Sequence, residues 1–226
     1  MSATNHPAPS ALGAGFSDLA HGSQRVFRSV LQALSHPGRV VELSCDAEVP
    51  VWANGPVGDP VPSASAAVLL ALLDTETRLW LSPSLAGSAV ATWLRFHTGC
   101  VVVAQSVEAQ FVWAASLGEL PALDGLCLGT DASPEKAVTC VVDVPMLQTT
   151  DAEDGNAWVL GGPGIREQAW LAVGGVSAAA RERFVALRAA SHAVFPRGVD
   201  VLLTAPDRVV GLPRTTRVIS CAANGG

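Results

Sequence analysis

Two kinds of apolar segment alternate along this chain of 226 residues, and the alternation limits the folds that the chain can adopt. In one kind, apolar residues recur every three or four positions, which is typical of a helix with one buried face. In the other, four or more apolar residues follow one another between turn-forming residues, which is typical of a buried strand. Helices that alternate with buried strands predict an α/β domain built around a sheet.

The helical segments are bounded by residues that start and stop helices. The first pattern ends at Pro37 and Gly38, neither of which continues a helix well. The last helix is predicted at 177–193, with Ser177 as its N-terminal cap. The apolar residues of the first pattern are Val26, Phe27, Val30, Leu31 and Leu34. Further helices are predicted at 63–74 with Ser63 or Ser65 as cap, at 84–99 with Ser84 as cap, and from Ser133-Pro134 onward.

The strand segments predict a mixed sheet. Residues 199–213, "VDVLLTAPDRVVGLP", contain two apolar runs joined by a turn at 205–208, which predicts an antiparallel hairpin. The segment "CVVVA" at 100–104 is apolar throughout and predicts a strand buried on both faces. The other predicted strands are at 40–43, 77–82, 109–114 and 137–144, and at 158–165, where the strand runs into a turn.

The length fits one domain, which we place at residues 16–226. Pro, Ser, Ala and Gly dominate residues 1–15, which predicts a mobile tail. This start lacks the basic and apolar stretches of a secretion signal, and no apolar run is long enough to cross a membrane. We therefore expect a cytoplasmic protein without a membrane partner. The acidic segment 151–154 predicts an exposed loop.

Charge and missing motifs exclude several classes of function. A net charge of −6 opposes binding to the phosphate backbone of nucleic acids. The sequence has no GxxxxGK[ST], GxGxxG or GxSxG motif, and its cysteines lack CxxC spacing, so we assign no catalytic residue and no metal site. Cys100, Cys127 and Cys140 are predicted as small core residues. "GGPG" at 161–164 offers either backbone N–H groups to an anion or a plain turn, and the turn is favoured.

Two basic clusters are candidate contacts to a ligand or partner. Arg95 and His97 lie near the end of a predicted helix, where capping alone also explains them. In "PRTT" at 213–216, Arg214 with the Thr215 and Thr216 hydroxyls would suit phosphate or carboxylate. The alternative for Arg214 is an internal ion pair with Asp200 that fixes two strands together, and this structural interpretation is favoured.

Five short motifs occur in order along the chain. They are "QxxFRxxLxAxxxPG" at 24–38, "LRFHT" at 94–98, "GPGI" at 162–165, "FPxGxD" at 195–200 and "PRTT" at 213–216. Together, from about Phe16 to Ile219, they resemble the H-subunit family (PhnH) of the bacterial carbon–phosphorus lyase core complex. The resemblance implies a structural framework made of Phe27, Arg28, Pro37, Gly38, Asp200 and Pro213. Arg197 and the acidic loop depart modestly from the pattern and leave the surface that meets a partner undefined.

The resemblance implies a non-catalytic subunit that supports organophosphonate breakdown. The family's complex forms a ribose 1-phosphonate 5-triphosphate from ATP and a phosphonate before the carbon–phosphorus bond is cleaved. Its partners are the G, I and J subunits, and the isolated H subunit forms a homodimer. The implied fold is a three-layer α/β/α arrangement that is similar to the large domain of transferases dependent on pyridoxal phosphate (PLP).

The residues themselves argue against a cofactor. PLP needs a lysine for its Schiff base, and Lys136, the single lysine, lies at a predicted helix start beside Glu135, where it is expected to be solvated. Two other classes of function remain as alternatives. One is a stand-alone binder of nucleotides or phosphonate esters that uses Arg95, His97 and Arg214, and the less favoured one is a PLP-dependent transferase.

Overall fold

A computed structural model describes residues 15–43, 47–48, 63–150 and 157–221. The acidic segment 151–154 and the predicted tail, except for its last residue, lie outside these ranges. That last residue, Gly15, forms a short strand with Phe16 and belongs to the fold.

Five helices and thirteen strands are found in the described ranges. The helices are α1 (Leu19–Ser35), α2 (Ser63–Leu72), α3 (Pro83–Ala86), α4 (Val90–Thr98) and α5 (Ala178–Ala193). The strands are β1 (Gly15–Phe16), β2 (Val41–Glu42), β3 (Ala47–Glu48), β4 (Arg78–Leu81), β5 (Val101–Val102), β6 (Phe111–Ala114), β7 (Thr139–Asp143), β8 (Met146–Thr149), β9 (Ala157–Gly161), β10 (Ala169–Gly174), β11 (Asp200–Ala205), β12 (Arg208–Leu212) and β13 (Arg217–Cys221).

A mixed sheet of seven strands forms the centre of the fold, in the order β2-β12-β11-β7-β6-β4-β5. The strands from β11 to β5 pair in parallel. The hairpin of β11 and β12 is antiparallel, and β2 pairs antiparallel with β12. The predicted α/β class, the mixed sheet and the hairpin are therefore confirmed.

A second sheet was not predicted from the sequence. It has four strands in the order β13-β9-β10-β8, and all its pairs are antiparallel. Of these strands only β9 was expected. β8 and β13 pair with strands that are not their neighbours along the chain, so the local pattern alone does not reveal these partners. β10 pairs with its neighbour β9 as well as with β8.

The two cores lie on opposite faces of the central sheet. Along β7, Val141 packs with residues of α1, α2 and α4, whereas its neighbours Cys140 and Val142 pack with residues of α5 and the second sheet. Because successive side chains of a strand point to opposite faces, this alternation separates the two cores. The sheet is therefore covered by helices on one face and by a helix with a smaller sheet on the other.

Two predicted helices agree closely with the structure. α1 ends one residue before His36, so Pro37 and Gly38 stop it as predicted. α5 begins after Ser177, whose side-chain oxygen accepts a hydrogen bond from the Ala180 N–H at 3.3 Å. The predicted cap at Ser177 is therefore confirmed.

The helix predicted at 84–99 is wrong, because the chain forms α3 and α4 with a break between them. The Ser88 hydroxyl donates to the Leu85 carbonyl at 2.7 Å and accepts from the Val90 N–H at 3.3 Å. Such local bonds compete with the helical pattern of hydrogen bonds. Ser84 is not the cap either, since its hydroxyl donates to the Glu119 carboxylate.

Three further predictions need correction. The strand at 100–104 is reduced to β5 at the edge of the sheet, and Val101 is 51% exposed instead of buried. Ser133-Pro134 starts only a 3-10 turn, Pro134–Lys136, without a side-chain cap. In α1 the buried stripe is Gly22, Val26, Val30 and Ala33, while Phe27 and Leu31 are 46% and 50% exposed. The buried face of α1 is thus narrower than the apolar pattern predicted.

Candidate functional site

The "PRTT" turn is tied to the start of β11 by an ion pair. Arg214 Nη2 lies 2.5 Å from Asp200 Oδ2, and the Arg214 backbone N–H donates to Asp200 Oδ1 at 2.7 Å. The second terminal nitrogen of the Arg214 guanidinium, Nη1, donates to the carbonyls of Pro134 and Pro196. The side chains are only 15% and 23% exposed, so solvent screens the pair weakly. The internal pairing of Arg214 with Asp200 is present as the sequence predicted.

A second arginine, Arg188, was not singled out from the sequence and binds the same turn from the interior of the fold. Arg188 of α5 is 1% exposed and donates to the carbonyls of Val199, Pro213 and Thr216. Burial lowers the pKa of its guanidinium to about 10, and the nearby Asp200 carboxylate partly opposes this shift. Arg188 lies four residues after the buried Phe184, so helical spacing already placed it on the inner face of α5.

Close glycine contacts bring the motif segments together around this turn. A side chain on Gly162 would lie 2.7 Å from the Thr215 carbonyl oxygen, and one on Gly198 would meet Arg214 Cβ at 3.4 Å. Both glycines have positive φ angles, 139° and 137°, which other residues rarely adopt. The segments "GPGI" and "FPxGxD" therefore pack directly against "PRTT".

The end of the first motif joins the same place. The Gly38 N–H donates to the Gly211 carbonyl at 3.3 Å, just before "PRTT". A side chain on Gly164 would lie 2.9 Å from Pro37 Cδ. We call this meeting of residues 37–38, 162–164, 198–200 and 213–216, together with Arg188, the motif junction.

The junction contains both candidate threonines in structural positions. Thr215 is half-buried with its carbonyl against Gly162, and Thr216 is buried with its carbonyl bound to Arg188. The Thr216 N–H also donates to the Pro213 carbonyl at 2.8 Å, which closes the turn. The backbone of the turn is thus used in internal contacts.

Arg95 and His97 lie in a different part of the molecule. Both belong to α4, which contacts β5 at one edge of the central sheet, whereas "PRTT" follows β12 near the other edge. Arg95 is exposed, and the His97 ring lies edge-on to Trp93 and close to Gly15. The structure therefore does not bring these two residues together with Arg214.

A buried carboxylate lies under α2, on the helical face of the central sheet. Asp143 accepts hydrogen bonds from Trp113 Nε1 and Thr204 Oγ1, each at 2.9 Å, and a third from Ser65. Burial raises the pKa of Asp143 to about 6, although the three hydrogen bonds oppose the shift. Its partners are neutral, so it is suited to a structural role or to holding a proton near neutral pH.

One surface cavity has a strongly basic lining. It has a volume of about 310 Å³ and lies between the loop after α1, the turn after β9 and the adjacent ends of β8 and β10. His36, Arg39 and Arg166 line it together with Thr149, Thr150 and Trp170. We call it the basic pocket. Sequence reasoning missed it, yet each arginine closely follows a glycine motif, in "PGR" and "GPGIR".

A second cavity, of about 290 Å³, lies beside α5 and β13 and is lined by Arg188, His192 and Arg217 among others. Arg188 Nε and His192 Nδ1 have no hydrogen-bond partner among the described residues. Neither atom has appreciable solvent-accessible surface, so a ligand in this cavity does not reach them in the present conformation.

The side chains that could bind PLP or a metal ion, which are the lysine, the cysteines and the acidic and histidine residues, do not form a common site among the described residues. Lys136 is exposed, and its backbone carbonyl accepts a hydrogen bond from the Cys127 thiol. Burial raises the pKa of the Cys100 and Cys140 thiols, that of Cys140 to about 12. Within the described ranges, no three His, Cys, Asp or Glu side chains are grouped as metal ligands. None of the described helices is long and apolar enough to span a membrane.

Comparison with known proteins places this arrangement in a family. Residues 14–219 match the profile of a family described as bacterial phosphonate metabolism protein (PhnH). A protein of Rhizobium meliloti (strain 1021) named alpha-D-ribose 1-methylphosphonate 5-triphosphate synthase subunit PhnH is 36% identical over 203 residues, covering 90% of this chain and 93% of that protein. A Stutzerimonas stutzeri protein named putative C-P lyase subunit protein HtxG is 31% identical over 196 residues, covering 86% and 85%.

Proposed function

The chain belongs to the PhnH family of bacterial phosphonate metabolism proteins, and from this membership we propose that it is a subunit of a carbon–phosphorus lyase complex. In that complex it supports the step in which ATP and a phosphonate yield a ribose 1-phosphonate 5-triphosphate, before the carbon–phosphorus bond is cleaved. The observation that carries the proposal is a match over nearly the whole length of the chain to a relative named as a subunit of that synthase.

We propose that the subunit is non-catalytic. The charged side chains of the motif junction are engaged in holding the fold, since Arg214 pairs with Asp200 and Arg188 binds three backbone carbonyls. This use also weighs against the alternative of a nucleotide binder built from Arg95, His97 and Arg214. Such a binder would need these three groups around one ligand.

No PLP and no metal are part of the proposed function. A Schiff-base lysine needs a pocket that lowers its pKa, whereas Lys136 is exposed on a 3-10 turn. The similarity of the fold to the large domain of PLP-dependent transferases, with three α/β/α layers, stays a prediction. So do the single domain at 16–226 and the cytoplasmic location, while the negative charge favours partners other than nucleic acid.

The proposed partners are the G, I and J subunits, with a homodimer as the isolated state. Phe27 and Leu31 support an association surface, because they are exposed apolar residues one turn apart on α1. Both residues belong to the first motif, as does the neighbouring exposed Arg28. Phe27 and Arg28 thus contribute to this surface and not to the interior that a framework role would suggest.

The experiment is co-expression of the tagged chain with the G, I and J subunits, followed by affinity capture and sizing. We expect one complex that contains all four chains and a dimer when the chain is expressed alone. The double variant Phe27→Asp/Leu31→Asp should weaken association with the other subunits and between copies of the chain. Val107→Asp, at an exposed valine away from α1, should leave both kinds of association intact. If the wild-type chain is recovered alone under co-expression, the proposal is wrong.

A further inference from the structure

We propose that the basic pocket is a binding site for the phosphate or phosphonate group of a small molecule. Arg39 and Arg166 line the pocket from two segments that are far apart in sequence, and His36 adds an imidazole. Two guanidinium groups at one cavity match the geometry and charge of a phosphoryl oxyanion. The proposal concerns the pocket of the isolated chain and does not depend on assembly of the complex.

The charged residues described in the lining of the pocket are all basic, in a protein that is negative as a whole. Neither Arg39 nor Arg166 forms an ion pair with a described carboxylate, and no described Asp or Glu lines the cavity. Glu167 is next to Arg166 along the chain but does not contribute to the lining. At a net charge of −6, two arginines that share one cavity and have no described carboxylate partner form a local anion-attracting site.

The backbone that carries the two arginines is held in place. A side chain on Gly164 would lie 2.9 Å from Pro37 Cδ, so the two turns are in direct contact. Arg39 follows the first turn and its N–H donates to the His36 carbonyl at 3.1 Å. On the other side, the Thr150 N–H donates to the Trp170 carbonyl at 3.2 Å. The backbone of the pocket is therefore largely formed before a ligand binds, which lowers the entropic cost of binding.

The shape of the pocket favours a small ligand. A volume of about 310 Å³ is at the lower end of the range for small-molecule sites. The lining includes the hydroxyl-bearing Thr149 and the half-buried ring of Trp170. The guanidinium groups thus suit the anionic end of a ligand, and the indole offers a flat apolar surface to the organic part.

Calorimetric titration of the full chain tests the site with three separate probes at constant ionic strength: inorganic phosphate, methylphosphonate and ATP. We expect at least one probe to bind, and its affinity to fall about tenfold or more in each of Arg39→Ala and Arg166→Ala. Arg39→Lys should lose part of the affinity, because lysine keeps the charge but not the two-pronged geometry. The probe that binds best identifies the source of the anion.

Arg78→Ala is the matched control, since it removes an equal charge from an exposed position on β4 that does not line the pocket. It should leave the affinity unchanged, and all variants should keep the wild-type melting temperature. The proposal is overturned if none of the three probes binds, if Arg39→Ala and Arg166→Ala bind as tightly as the wild type, or if Arg78→Ala weakens binding equally. A loss that follows Arg95→Ala instead would place the anion at α4 and overturn it as well.

Discussion

The motif junction and the basic pocket use arginine in opposite ways. At the junction, Arg188 and Arg214 donate to backbone carbonyls and to Asp200, and little of either side chain reaches solvent. At the pocket, Arg39 and Arg166 are exposed and have no described carboxylate as a partner. The guanidinium is the same, so the difference lies in whether the surrounding chain supplies its acceptors.

The contrast separates charges that hold the fold from charges that are available to a ligand. Removing one member of a buried or half-buried set leaves its partners unsatisfied, which costs several kcal/mol. Removing an exposed arginine without a partner changes the free energy of unfolding little. Stability measurements on both regions therefore test the distinction directly.

The largest effect is expected at Arg188. Arg188→Ala should lower the free energy of unfolding by about 4 kcal/mol, because it removes the hydrogen bonds from Arg188 to three backbone carbonyls and opens a cavity under the turn. Urea unfolding measures this change. Arg188→Met keeps most of the volume and isolates the hydrogen-bond contribution. A loss below 1 kcal/mol in both variants would show that the junction does not depend on this side chain.

The next effect is expected at the ion pair. Arg214→Ala and Asp200→Ala should each cost roughly 3 kcal/mol, with the double variant losing less than the sum. The coupling arises because Arg214 Nη2 and Nε both contact the Asp200 carboxylate. Thermal and urea unfolding of the three variants gives the coupling free energy. Fully additive losses would contradict an internal pair.

Asp143 provides a third case beside the motif junction and the basic pocket, because it is a buried carboxyl group whose partners are all neutral. Its pKa is about 6 in the fold against the ordinary 3.8, so between these values the folded protein holds a proton that the unfolded chain has released. The contribution of this group to the free energy of unfolding is therefore greatest below about pH 4. It falls by about 3 kcal/mol as pH rises to about 6, and it stays low above that pH. Asp143→Asn should lack this fall.

The measurement for Asp143 is urea unfolding of the wild type and of Asp143→Asn across pH 4 to 7. The difference between the two proteins isolates the contribution of this carboxyl group from that of other titrating groups. Parallel pH profiles for the two would mean that Asp143 is already ionised in the fold at pH 4.

The smallest effect is expected at the basic pocket. Arg39→Ala and Arg166→Ala should each change the free energy of unfolding by less than about 0.5 kcal/mol, since neither side chain is paired with a described carboxylate. The same urea experiment serves as the measurement, with Arg188→Ala as the contrasting variant. A loss comparable to that of Arg214→Ala would make these arginines part of the framework and remove the contrast.

Some of these features were readable in the sequence. Ser177 and Pro37 act over a few residues, so the ends of α5 and α1 followed from capping and from the lost N–H of proline. Arg214 and Asp200 were expected to pair because Pro213, at the end of a strand, fixes the backbone where an arginine can reach back across the sheet. The proposed fold class needed only the alternation of helical and strand patterns.

Other features were missed because they depend on which distant segments meet. Arg188 resembles any surface arginine until α5 is packed under the turn that supplies its three acceptors. Phe27 reads as a core residue, yet Val26 and Val30 already fill the buried stripe of α1. The second sheet was missed for the same reason, since β8 and β13 pair with strands that are not their neighbours along the chain.

The sequence by itself determined the class of the fold, the limits of its best helices, the hairpin and the family. These follow from periodicity, turn residues and ordered motifs, which act locally or are matched letter by letter. Only the tertiary structure decided that four of the motifs meet at one junction, and that Arg39 and Arg166, 127 positions apart by their residue numbers, share a pocket. Burial and charge neutralisation are properties of neighbours in space, and folding chooses those neighbours.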